Sequence, residues 1–149
     1  MIETLKQDLK TAMRARDKRR VGTLRMLISS FQNAAIENRG PLSDEQSLVI
    51  LSREVKRRRE ASVAFRNGDR IELADQEDAE SVIISEYLPK QLSAEEVRAI
   101  AQEIIADNPP ATPRDMGKIM GMAMPRLKGL FDGKAASAII REEFNNALS

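Results

Sequence analysis

The chain contains no cysteine and no histidine among its 149 residues. The absence of cysteine excludes disulfides, thiolate metal sites and a cysteine nucleophile. The absence of histidine removes both the commonest metal ligand and the side chain best suited to acid–base catalysis near neutral pH. Catalysis would have to depend on carboxylates, lysines or hydroxyl groups. We therefore expect no catalytic residue, no metal and no cofactor.

Aromatic residues are scarce, at 3% of the chain, and long apolar runs are missing. Few aromatics argue against a single-strand nucleic-acid binder that stacks bases. No apolar stretch approaches the roughly 20 residues that a membrane-spanning helix needs. The first twenty residues contain the acidic residues Glu3, Asp8 and Asp17. A secretory signal or an acid-poor transit peptide would not contain them. We expect a cytoplasmic protein with no membrane partner.

The apolar residues recur at helical spacing, and no window alternates as a strand would. This pattern predicts an all-α protein, with an N-terminal four-helix domain of antiparallel hairpins over residues 1–90 and a small three-helix C-terminal domain over residues 91–149. Pro89 marks the boundary, because proline disfavours helix at the residue before it. We also predict that the third helix is capped at Gly68 and that the fourth begins at Asp69.

The net charge is only +1, but the charges are unevenly distributed. Residues 1–68 carry 15 cations and 8 anions, residues 69–107 carry 3 and 11, and residues 108–149 carry 6 and 4. This asymmetry indicates a basic face that meets an acidic partner, with nucleic acid as the first candidate. The alternative is that the basic and acidic blocks pair with each other.

Two basic clusters in the first block are candidate nucleic-acid-binding sites. The first consists of Arg14, Arg16, Lys18, Arg19, Arg20 and Arg25, and the second of Lys56, Arg57 and Arg59. If the second and third helices are antiparallel, Arg25 lies level with Arg58, and the clusters form one patch. Such cations bind phosphates with salt-dependent affinity and no sequence preference. The alternative is a solvated, charged helix end.

In the third predicted helix, the spacing of the apolar residues predicts an apolar side chain at the position of Arg58. A charge there needs a partner. If the third and fourth helices form a hairpin with its turn at Gly68-Asp69, residue 58 lies opposite residues 79 and 80. We therefore predict a structural ion pair of Arg58 with Glu80 or, one turn away, with Glu77. We interpret the acidic residues around them as a solvated face and not as a metal site.

Residues 115–134 contain four of the seven glycines and four of the seven methionines. Glycine costs a helix about 1 kcal/mol relative to alanine, so Gly117 and Gly121, one turn apart, indicate that something approaches their backbone closely. The nearby cations are Lys118, Arg126, Lys128 and Lys134. Together they predict contact with the phosphate backbone of folded RNA. The alternatives are methionines that pack in the core and a groove that takes a partner helix.

Four motifs carry a resemblance to a known family. They are Leu24-Arg25-Met26-Leu27, Glu54-Val55-Lys56-Arg57-Arg58, Glu86-Tyr87-Leu88-Pro89-Lys90-Gln91-Leu92 and Asp115-Met116-Gly117-Lys118-Ile119-Met120-Gly121. Over essentially its whole length the chain resembles the YqeY family, small free-standing bacterial proteins with a mitochondrial counterpart. The C-terminal unit is also similar to the tail domain of the B subunit of glutamine-dependent aminoacyl-tRNA amidotransferase. There, the stretch that matches residues 120–134 belongs to a helical domain that contacts the elbow of tRNA.

The resemblance implies a non-catalytic accessory protein that binds tRNA or another structured RNA and assists glutamine-dependent tRNA amidation. Its partners would then include an amidotransferase or synthetase complex. A second hypothesis is a protein-interaction module that binds a partner helix in the glycine and methionine groove. A third is carbon–nitrogen ligase (amidotransferase) activity with glutamine as the amido donor, exerted together with a partner. The catalytic parts of the amidotransferase subunit have no counterpart in this sequence, so we expect no turnover by the protein alone.

Overall fold

The computed structural model describes residues 1–149 and contains seven α-helices and no strand. The helices are α1 (Ile2–Arg14), α2 (Lys18–Asn38), α3 (Asp44–Asn67), α4 (Ile71–Ser85), α5 (Ala94–Asp107), α6 (Met116–Leu127) and α7 (Gly133–Leu148). A single 3-10 turn, Pro113–Asp115, precedes α6. The predicted all-α fold class is confirmed. Each of the seven helices is too short or too polar to cross a bilayer.

The chain forms two compact units, Met1–Leu88 and Pro89–Ser149. In the first unit α1 packs along α2 and α3 packs along α4, while in the second α7 contacts both α5 and α6. Each unit has its own hydrophobic core. Large members are Leu27, Phe31 and Leu51 in the first and Ile119, Ile140 and Phe144 in the second. That these units correspond to the predicted domains, residues 1–90 and 91–149, stays a prediction.

Helix starts are defined by side chains that the sequence supplies locally. The Ser43 hydroxyl accepts from the Gln46 N–H, while the Gln46 side chain accepts from the Ser43 N–H. Ser93 and Glu96 form the same capping box at α5. Asp17 caps α2 by accepting from the Arg20 N–H. These contacts satisfy N–H groups that have no partner inside the helix.

Three turns of the first unit place a residue other than glycine in the left-handed region: Arg16 (φ 57°), Arg39 (φ 57°) and Asp69 (φ 61°). In each turn this residue donates to the carbonyl three residues back, and the next residue donates to the carbonyl five back. These bonds close the preceding helix in the Schellman pattern.

The turn at Asp69 corrects the predicted start of the fourth helix. Gly68 has a φ of −87°, so aspartate and not glycine adopts the left-handed conformation, and α4 begins only at Ile71. The reason is that the reversal needs its left-handed residue directly after Gly68. Aspartate tolerates this conformation better than most residues.

Candidate nucleic-acid interface

Helix α6 presents an apolar face to the core and a glycine-containing face to solvent. Ile119, Ala123 and Leu127 are buried, whereas Gly117 and Gly121 are exposed. A Cβ atom added at either glycine would meet no atom within 4 Å. Since alanine would make the helix more stable at both positions, packing within the protein does not explain either glycine.

The methionines of this helix divide between core and surface. Met116, Met120 and Met124 pack against the core of the second unit. Met122 is 40% exposed and follows Gly121 on the solvent side. The core-packing interpretation therefore applies to three of the four methionines in residues 115–134.

The four cations predicted for this segment are all exposed. Lys118 is exposed and precedes Gly121 by three residues, so it lies on the solvent side of α6 beside that glycine. Arg126 lies further around the helix, where Nη2 is 3.8 Å from Glu103 Oε2 and 48% of the side chain is exposed. Lys128 follows α6, and Lys134 lies in the first turn of α7.

Amide groups near these helix starts are already bound by the protein's own carboxylates. Asp115 Oδ2 accepts from the N–H groups of Ala111 and Thr112 at 2.8 and 3.1 Å. These hydrogen bonds, with the charge of Lys118, lower the pKa of Asp115. Asp132 accepts from the Ala135 N–H at 3.0 Å. A phosphate at this segment would therefore meet side-chain cations and bare helix backbone more readily than these amides.

The cations of the first unit differ in whether a carboxylate neutralises them. Six exposed side chains form no ion pair, namely Arg14, Arg16, Lys18, Arg19, Arg25 and Arg59. Lys56 is also exposed. Arg57 Nη1 lies 3.7 Å from Glu54 Oε1, with 68% of the arginine side chain exposed. Most of the predicted cations therefore remain available to a partner.

Arg20 is the exception among these cations. Its two terminal nitrogens donate to the two oxygens of Glu86 at 2.8 and 3.1 Å. This bidentate pair raises the pKa of Arg20 and lowers that of Glu86. The charge of Arg20 therefore links the start of α2 to the segment after α4.

Arg58 lies between two carboxylates, with 12% of its side chain exposed. Nη1 donates to Glu54 Oε2 at 2.6 Å and to the Glu54 carbonyl at 3.1 Å. Nε lies 3.3 Å from Glu80 Oε2, the first of the two predicted partners, although the N–H does not point at that oxygen. Glu77 forms no ion pair, and burial together with Glu80 raises its pKa. Sequence reasoning missed Glu54, whose spacing of four residues from Arg58 was the available signal.

The same arginine fixes the relative level of α2 and α3. Arg58 Nη2 lies 3.2 Å from Met26 Sδ. The adjacent residues Arg25 and Arg59 therefore lie near the same level of the bundle. That the two basic clusters form one continuous patch stays a prediction.

An open pocket of about 510 Å³ lies between α1 and the segment after α4. Its wall includes Tyr87, whose hydroxyl donates to Asp8, and the Arg20–Glu86 pair. Burial, followed by this hydrogen bond, raises the pKa of Tyr87. These polar groups bind one another, so we interpret them as a structural clasp. The sequence offered no signal for it, because its members are 66 and 79 residues apart.

The acidic residues of α4 are also used within the fold. Asp75 and Asp78 lie 3.2 and 2.8 Å from Arg66 Nη2. Nowhere in the chain do three or more Asp or Glu side chains converge as a metal site would require. The cluster therefore pairs with arginines of α3, while the side chains of Asp75 and Asp78 stay 66% and 50% exposed.

Comparison with curated proteins finds relatives named "Altered inheritance of mitochondria protein 41, mitochondrial". The relative from Kluyveromyces lactis is 30% identical over 154 residues, which cover 97% of this chain and 80% of the relative. The relative from Lachancea thermotolerans is 36% identical over 88 residues, which cover 58% of this chain and 47% of the relative. The relative from Eremothecium gossypii is 36% identical over 104 residues, or 68% of this chain and 57% of the relative. In the last two, the match spans about half of the relative's length.

These names correct the expected localisation. The sequence predicted a cytoplasmic protein, but the relatives are named as mitochondrial proteins. The cytoplasmic expectation is therefore wrong. Composition could not supply the compartment, because the packing of a helical domain does not depend on where the domain resides.

A family model described as Yqey-like protein matches residues 2–144. The match extends from the first residue of α1 into α7 and so includes both compact units. The resemblance carried by the four sequence motifs is confirmed. This protein therefore belongs to the YqeY family.

Proposed function

We propose that this protein is a non-catalytic accessory protein that binds tRNA or another structured RNA through the exposed face of α6. The observation that carries the proposal is the exposed pair Gly117 and Gly121 beside Lys118. Bare backbone lets a ligand approach the helix more closely than any side chain permits. The adjacent cation suits a phosphate group.

The role that we propose for this contact is to assist glutamine-dependent tRNA amidation. It is supported by the similarity of the C-terminal unit to the tail domain of an amidotransferase subunit. In this role the protein holds the RNA, and an amidotransferase or synthetase complex performs the chemistry. The absence of cysteine and histidine favours such a division of work.

The test measures binding of a fluorescently labelled tRNA transcript to the full chain over a series of salt concentrations. Gly121→Ala should stabilise α6 by about 1 kcal/mol and weaken binding, because the new methyl group separates the RNA from the backbone. Lys118→Ala should weaken binding and reduce the slope of log affinity against log salt by about 0.7 to 0.9.

Two control substitutions lie on α7 in the same unit. Gly133→Ala adds a methyl group that would make only an ordinary contact, 3.9 Å from Met124 Cε. Arg141→Ala removes an exposed cation outside the α6 face. Both should retain the affinity of the unmodified protein. If Gly121→Ala and Lys118→Ala also retained it, the α6 face would not be the RNA contact.

A protein partner is a second candidate, favoured by the exposed side chain of Met122 beside Gly121. An apolar side chain next to bare backbone suits an amphipathic helix laid into a groove. Salt separates the candidates, because RNA affinity falls linearly in log salt, whereas an apolar groove binds about equally well at high salt. Met122→Ala should weaken binding of a partner helix much more than binding of tRNA.

Carbon–nitrogen ligase activity, with glutamine as the amido donor and with a partner, is the third candidate. Its test adds glutamine and a misacylated tRNA to the pure protein and follows conversion of the esterified amino acid to its amide. We expect no conversion by the protein alone. Conversion would replace the accessory role with an enzymatic one.

A further inference from the structure

The corner where α1 turns into α2 carries cations that no carboxylate of the protein neutralises. Arg14 ends α1, Arg16 lies in the turn, and Lys18 begins α2. All three are exposed and form no ion pair. The one carboxylate of the turn, Asp17, caps α2 and pairs with Arg20. The charge of this corner is therefore directed at solvent.

Arg16 holds a backbone conformation that suits glycine better. Its φ is 57°, in the left-handed region that side chains with a Cβ atom adopt at a cost. Neither an ion pair nor a side-chain hydrogen bond compensates for this strain. An arginine at this position is therefore unexplained by the stability of the turn.

Gly22 repeats on α2 the combination seen on α6. It is exposed in the helix interior, and a Cβ atom added there would meet no atom within 4 Å. Lys18 lies one turn before it and Arg25 about one turn after it on the same face. Both cations are exposed and without an ion pair. The exposed backbone at Gly22 is therefore flanked by two positive charges that have no ion-pair partner.

We propose that the α1–α2 corner is a second phosphate-binding face for structured RNA. Arg14, Arg16, Lys18 and Arg25 contact phosphates, and Gly22 lets the RNA backbone approach α2. Charge complementarity selects this occupant, because the cations lack anionic partners in the protein. The identity of the ligand as RNA rests on the proposed function, whereas the position of the face rests on the geometry of the corner.

The experiment uses two substitutions that should stabilise the fold while they remove contacts. Arg16→Gly relieves the left-handed strain, and Gly22→Ala favours the helix. Loss of binding in these variants cannot come from unfolding. Arg39→Gly is the matched control, since Arg39 has the same φ of 57° and is exposed. It lies at the far end of α2, whose 21 residues span about 31 Å.

Thermal midpoints and the affinity for a labelled tRNA transcript are measured in the full chain over a salt series. Arg16→Gly should raise the midpoint, weaken binding several-fold and reduce the salt slope by about 0.7 to 0.9. Gly22→Ala should raise the midpoint and weaken binding with little change in slope. Arg39→Gly should raise the midpoint and leave binding unchanged.

Unchanged affinity and slope in both Arg16→Gly and Gly22→Ala would overturn the second face. If only the α6 substitutions then weakened binding, the proposed function would stand without this corner. If the unmodified protein showed no salt-dependent binding of the transcript, both proposals would fail. If Arg39→Gly weakened the affinity for the transcript as much as Arg16→Gly did, the second face would also be overturned. The affinity would then depend on the total positive charge and not on the position of the arginine.

Discussion

The two units of the protein differ in what they bury. The five buried polar side chains, Thr23, Ser47, Glu54, Ser62 and Ser81, all lie in the first unit, and every buried side chain of the second is apolar. The first unit encloses the charge of Arg58 between α3 and α4. In the second unit, Arg98 keeps 37% of its side chain exposed and pairs with Glu142, which is 60% exposed, and with Glu143, which is 10% exposed.

The two units therefore set the register of their helices in different ways. Apolar contact is non-directional, so a long helix can slide by one turn at little cost. The helix α3 has 24 residues, and the contact of Arg58 with Glu80 on α4 fits only one register of the two helices. The helices of the second unit have 12 to 16 residues, and the shape of their apolar faces suffices.

The largest expected effect comes from Arg58→Met, which leaves the Glu54 carboxylate, with 7% of its side chain exposed, without its close partner. Breaking a buried pair in this way costs about 3 to 5 kcal/mol. Urea denaturation, with hydrogen exchange to locate the loss in α3 and α4, measures it. The double variant Arg58→Met with Glu54→Met should recover most of the stability. A loss of stability in the single variant no greater than that of a surface ion pair would contradict a buried charge in the first unit.

Tyr87→Phe should have the next largest effect, because it removes the hydrogen bond from the Tyr87 hydroxyl to Asp8. A hydrogen bond to a charged group contributes about 1.5 to 3 kcal/mol. Since the chain has one tyrosine, an ultraviolet titration reports its pKa directly. The raised pKa predicts that the folded protein keeps this proton above pH 10.0 and loses stability as pH rises further. Titration at the ordinary value would contradict the clasp.

Arg98→Gln tests the second unit and should destabilise it less than Arg58→Met destabilises the first. Arg98 lowers the pKa of Glu143, so this pair contributes stability near neutral pH that is lost as pH falls through the lowered pKa. In the variant, the stability of the second unit should therefore decrease less as the pH falls. Hydrogen exchange of α5 and α7, near neutral pH and in acid, measures this. A loss as large as that of Arg58→Met would remove the distinction between the units.

Glu77→Gln should have the smallest effect and the opposite sign. Burial raises the pKa of Glu77, so its contribution to stability is greatest below the unfolded pKa and is lost as pH rises through the folded pKa. Removing the charge should slightly stabilise the first unit near neutral pH. Asp75→Asn, which weakens a surface pair with Arg66, is the control and should not stabilise. Urea midpoints at neutral and acidic pH compare the two.

Local rules predicted much of the fold. Ser43 and Ser93 mark helix starts because capping depends on residues three positions apart. The contact of Arg58 with Glu80 could be located because a tight hairpin converts sequence distance from the turn into spatial register. The residue that adopts the left-handed conformation in this turn could not be predicted. Gly68 and Asp69 can both adopt it, and the packing of α3 on α4 decides between them.

For the candidate site, the sequence predicted which residues take part. It did not show which of their side chains form ion pairs within the protein. Arg20 looked like its neighbours but is neutralised by Glu86, 66 residues away. Arg16 and Lys18 are left without an ion pair. No local pattern could separate them, because long-range pairing depends on how the hairpins pack.

The all-helical fold, the capped helix starts and the unusual composition of residues 115–134 follow from sequence alone, because each depends on neighbours within a few positions. The three-dimensional packing determines which cations lack partners and which glycines face solvent. It showed that Gly22, Gly117 and Gly121 have no role in internal packing. A glycine that packs inside and one that leaves its backbone open look alike in sequence, and only the neighbouring atoms distinguish them.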